Sequence, residues 1–100
     1  MVLRKNELPV RRAKPIVRFT VSPREASTAD TVQLVDCSYD PGQVGIAWRA
    51  WDFGDGETSV GSSAVHRYAS AGEYEIALTL ATYDGRVGWE QQTVTIRART

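Results

Sequence analysis

A single histidine, His66, a single cysteine, Cys37, and several aspartates in turns are the side chains of this sequence whose types could carry chemistry. A lone imidazole works as a general base only beside a nucleophile, and no serine or cysteine stands at a spacing that identifies it as a partner of His66. His66 therefore reads as a hydrogen-bonded strand or corner residue. Cys37 has no base near it in sequence and is expected as a small, buried or half-buried strand residue, not a reactive thiol. Asp52-Phe53-Gly54 matches the magnesium-binding tripeptide of protein kinases, but 100 residues cannot also hold the lysine strand and catalytic loop that it serves. Gly54-Asp55-Gly56 lacks the alternating carboxylates and closing glutamate of a calcium loop. Asp36, Asp40 and Asp84 are read as turn-capping aspartates, with a nonlocal calcium site built from the three as the alternative. No catalytic residue and no cofactor is assigned.

The elements that must position these residues belong to one compact domain. Hydrophobic residues make up 42% of the chain and charged residues 24%, an ordinary globular balance with no room for a second core. Twelve basic and twelve acidic residues cancel, so no global charge points to nucleic acid. Their distribution is uneven. Residues 1 to 14 hold Arg4, Lys5, Arg11, Arg12 and Lys14 against Glu7, and are read as a flexible basic arm ahead of a domain over residues 15 to 100. The lone cysteine excludes an internal disulfide. No apolar run is long enough for a membrane span, and Arg4 to Glu7 interrupt any signal-like apolar stretch at once.

Period-2 alternation and frequent turns argue for an all-β fold. From Glu73 to Thr82, Tyr74, Ile76, Leu78 and Leu80 alternate with Glu73, Glu75, Ala77 and Thr79, giving one buried and one wet face. Thr93 to Arg97, Thr31 to Val35 and Ile16 to Val21 repeat the pattern, the last ending at Ser22-Pro23. Ile46 to Phe53 is apolar on both alternating sets save Arg49, as in a central strand with a bulge or with two covered faces. Asp40-Pro41-Gly42, Asp55-Gly56 and Asp84-Gly85 mark turns. Spacing of 8 to 15 residues between strands predicts a two-sheet antiparallel sandwich of about seven strands.

Trp51-Asp52-Phe53-Gly54-Asp55-Gly56, then His66-Arg67-Tyr68, then Gly72-Glu73-Tyr74, resembles the PKD (polycystic kidney disease) domain family over about residues 14 to 98. The resemblance implies an immunoglobulin-like sandwich that acts as a spacer or interaction module. Trp51 is expected to anchor both sheets, and Tyr74 to enter its strand as a corner tyrosine whose hydroxyl satisfies an upstream backbone group. Asp52 and Asp55 are expected to accept backbone N–H bonds in the turn. One departure is local: the family's aromatic two positions before the motif tryptophan is Arg49 here, with Trp48 beside it.

Trp48 and Trp89 lie outside the family's core positions and, with Arg4, Lys5, Arg11 and Arg12, are the candidate partner-binding residues. The expected function is a non-catalytic module making protein contacts in a larger surface assembly, such as a virion decoration or surface-layer component. The alternative is a spacer or carbohydrate-associated module of an extracellular hydrolase. Nucleic acid and membrane insertion are not expected.

Overall fold

The computed structural model describes residues 13–99, among which every regular element is a strand. Eight strands follow one another: β1 (Phe19–Ser22), β2 (Glu25–Ser27), β3 (Val32–Asp36), β4 (Ile46–Asp52), β5 (Thr58–Val60), β6 (Ser63–His66), β7 (Gly72–Thr82) and β8 (Val87–Arg97). They form a three-stranded sheet in the order β1-β3-β6 and a five-stranded sheet in the order β2-β8-β7-β4-β5. This is an immunoglobulin-like β-sandwich with one strand more than the sequence suggests. No helix among the described residues is long and apolar enough to cross a membrane.

Alternation decides the faces. In β7, Ile76, Leu78 and Leu80 turn inward while Glu73 and Glu75 face water, and in β8 Val94 and Ile96 do the same. Val17, Phe19, Val21, Val32 and Leu34 meet them from the smaller sheet. Trp51, 1% exposed, stands edge-on to Phe19 of the opposite sheet, with ring centroids 5.2 Å apart. Its indole N–H donates to Gly61 O at 2.8 Å, in the turn where the chain leaves β5 for β6 and changes sheet. One side chain thus spans the core and secures a crossover.

The pairing departs from a purely antiparallel sandwich at one place. β2 runs parallel to β8, with Ala26 opposite Ile96, whereas every other strand pair is antiparallel. Its cause lies at Ser22-Pro23. Proline has no N–H to donate to a ladder, so pairing of β1 with β3 stops at Ser22. Beyond this cis bond the chain crosses to the edge of the larger sheet. β4 has the expected irregularity: its register with β7 shifts between Ile46 and Trp48.

Candidate functional site

The β4 bulge sets which face Trp48 occupies. In register, Val60, Ala50, Thr79 and Trp89 form one line across β5, β4, β7 and β8, and Trp48, Ala81 and Val87 form the next. These residues share the outer face of the five-stranded sheet, opposite the parity of Trp51, Leu78 and Leu80. Trp48 is 48% exposed and Trp89 64%. Small residues of β4 and β7 lie between them, with Ala81 buried and Ala50 and Thr79 half-buried, so the two indoles rise from a low floor. Two strand spacings and a two-residue offset put their Cα atoms roughly 12 Å apart. Ala50, Thr79, Ala81, Val87 and Gln91 around them are all uncharged. Val60, Tyr83 and Val87 are also exposed, which concentrates apolar surface on this side.

The turn after β4 is a second, more rigid locality. Gly54 has φ +85°, and a Cβ there would stand 2.5 Å from Glu75 O, so glycine is required both for conformation and for the close approach of β7. Asp52 Oδ1 accepts from Gly54 N at 2.9 Å, and Asp55 Oδ1 accepts from Glu57 N at 3.1 Å, with Gly56 between them. Below the turn the rings of Phe53 and His66 stack at 4.1 Å. His66 meets Tyr68 edge-on at 4.7 Å, and Tyr68 stacks on Tyr74 at 4.3 Å. Tyr68 donates to Phe53 O and Tyr74 to Ser70 O, both at 2.7 Å; Gly72 opens β7 two residues before Tyr74. Burial holds the Tyr68 hydroxyl well above the ordinary phenol range.

His66 is placed between two carboxylates. Its Nε2 is 2.7 Å from Asp55 Oδ2 and its Nδ1 is 3.6 Å from Glu57 Oε2. Burial opposes ionisation of Asp55, but the hydrogen bonds from His66 and from Glu57 N outweigh it and hold the carboxyl below its usual range. A triad would need a nucleophile at the second ring nitrogen; Glu57 stands there instead. Sequence reading singled out His66 and Asp55 but missed Glu57. The signal was its place two residues after Asp55, just before a strand too short to recognise.

Arginines pair with the three aspartates read as turn caps or a calcium site. Arg86 donates from Nη1 and Nη2 to Asp40 Oδ1 and Oδ2 at 2.7 and 2.8 Å, and from Nε to Asp84 at 3.0 Å. Asp40 also accepts from Gly42 N, Val44 N and Gly45 N. The Arg86 guanidinium, chiefly, holds the Asp40 carboxyl far below the usual range. Asp36 pairs instead with Arg49 across the sandwich and accepts from Ser38 N. Asp40 and Asp84 share Arg86 while Asp36 lies on Arg49, so the three form no single cluster; the metal-type cluster among the described residues is Asp55, Glu57 and His66. Arg49, in the position of the family's aromatic, is thereby explained. Cys37 is exposed, contrary to expectation, because it continues the outward parity of Gln33 and Val35 in β3. Arg4, Lys5, Arg11 and Arg12 lie outside the described residues.

Comparison with known proteins agrees with this geometry. The family model "PKD domain" matches residues 12–98. Collagenase ColA of Clostridium perfringens is 41% identical over 46 residues, 46% of this chain and 4% of that protein. A microbial collagenase of Vibrio alginolyticus is 42% identical over 48 residues, 48% of this chain and 6% of that protein. The chain thus spans a small fraction of these relatives. Among solved structures, the PKD1 domain of the Vibrio cholerae metalloprotease PrtV superposes with TM-score 0.76 at 28% identity, covering 85% of this chain and 99% of that one. A structure of carbohydrate-binding modules from the β-sandwich superfamily, studied for promiscuous specificity, superposes with TM-score 0.84 at 26% identity. It covers 91% of this chain and 37% of that one. With 87 consecutive residues matched by the family model and the same sandwich in its relatives, the chain belongs to the PKD domain family.

Proposed function

We propose that this domain is a non-catalytic accessory module of an extracellular multidomain enzyme, and that it holds an extended polysaccharide against the outer face of the five-stranded sheet. The observation that carries the reading is the pair of exposed indoles, Trp48 and Trp89, on one sheet face, with small uncharged residues between them. Indole rings offer flat apolar area to sugar rings at little conformational cost, and Thr79 and Gln91 supply hydroxyl and amide partners. The likeness to carbohydrate-binding modules and to segments of collagenases supports an enzyme-associated role over virion decoration. The basic arm, with Arg4, Lys5, Arg11 and Arg12, adds a salt-sensitive protein contact to neighbouring subunits or domains in the same proposal.

Retention on insoluble polysaccharides, combined with tryptophan emission, tests the reading. Trp51 is buried, so a ligand-dependent change in emission reports Trp48 and Trp89. Retention that falls at least about tenfold in W48A and W89A supports the proposal, since truncating a central aromatic of a contact surface costs on the order of 1–2 kcal/mol or more. No retention and unchanged emission across a glycan panel defeats it, and retention on collagen fibres alone replaces the ligand by a protein.

A further inference from the structure

We propose that His66 and Glu57 bind a zinc ion, with Asp55 orienting the imidazole from behind. His66 is 8% exposed, and its ring is fixed by the parallel stack on Phe53 and the edge of Tyr68. Asp55 Oδ2 lies 2.7 Å from Nε2, so the tautomer that keeps its hydrogen on Nε2 presents an Nδ1 lone pair to the Glu57 carboxylate. The separation there is 3.6 Å, beyond hydrogen-bond reach. Two electron-pair donors face each other across a gap. Two zinc bonds of about 2.0–2.1 Å meeting near the tetrahedral angle span roughly 3.4 Å, so the gap is close to the width that this cation fills.

The surroundings match. A carboxylate accepting the other N–H of a metal-bound histidine fixes its tautomer and raises its basicity, which is the position of Asp55. Glu57 is 71% exposed and free to adjust by a few tenths of an ångström. Asp55 and Glu57 line an open groove of about 410 Å³, with Arg67, Ala69, Ser70 and Tyr74, so the carboxylate side of the site is open to water as a further ligand. Arg67 is the positive charge of that groove. Its Nε and Nη2 donate to Thr28 O and Ala29 O at 3.1 and 3.0 Å, which ties it to the turn before β3. With imidazole and carboxylate as ligands the site favours zinc over calcium or magnesium, which select all-oxygen shells.

The chain contains one histidine, so ring ¹⁵N shifts report His66 without ambiguity. Zinc added to the tag-free full chain is expected to move the Nδ1 resonance of His66, with one ion bound per chain by calorimetry, while calcium leaves it in place. Glu57→Ala, on an exposed side chain, is expected to weaken zinc binding about tenfold or more without lowering Tm in the absence of metal. His66 ring resonances that stay fixed in excess zinc would overturn the site, as would an affinity unchanged by Glu57→Ala or an equal response to calcium.

Discussion

Trp51 joins two functions in one side chain: its ring fills the space between the sheets, and its N–H secures the β5–β6 crossover. Trp51→Ala is expected to cost about 3–5 kcal/mol, a large share of the stability of a domain this size, read as a lower urea midpoint. Gly54→Ala meets both a positive φ and the Glu75 carbonyl. A loss of about 2 kcal/mol or more is expected, with a matching fall in Tm. Tyr68→Phe leaves the Phe53 carbonyl without its buried donor and is expected to cost about 1–2 kcal/mol in the same measurement. Trp51 and Gly54 were legible in the sequence because a core indole and a tight turn leave local signatures, whereas Tyr68 was marked only by the family motif and its ring stack needed the fold. Arg86 was not legible, because its partner Asp40 is 46 residues away and only the folded turns bring them together.

Arg86 acts between elements. It joins the turn after β7 to the loop before β4 and donates to Ala13 O, so the chain entering the domain is held by the same guanidinium. Asp40 has a folded-state pKa depressed below its unfolded value, so its contribution is present above the ordinary carboxylate range and is lost as pH falls through and below about 4. Urea midpoints are therefore expected to fall in acid, and Asp40→Asn to lower the midpoint at neutral pH while flattening the acid loss. Strand legibility followed length. β7 and the end of β8 declare themselves through four- or five-fold alternation. β2, β5 and β6, three or four residues rich in serine and threonine, carry too little period to be read.

At the scale of the whole molecule, the outer face of the five-stranded sheet carries two tall indoles that lie outside the buried core. Trp89→Ala is expected to leave Tm within about 2–4 °C of the parent while removing ligand-dependent quenching, which separates recognition from stability. The sequence marked both indoles as candidates through their position outside the family core. Only the β4 bulge and the β7 register put them on one side of the sheet. The parallel pairing of β2 with β8 has a mechanical consequence. Because the chain enters β2 at one end of that ladder and leaves β8 at the other, tension on the two termini loads its hydrogen bonds together in shear instead of opening them one by one. A module strung between larger domains would then resist stretching, and force spectroscopy should find its rupture force lowered when Ala26→Pro removes a donor from that ladder.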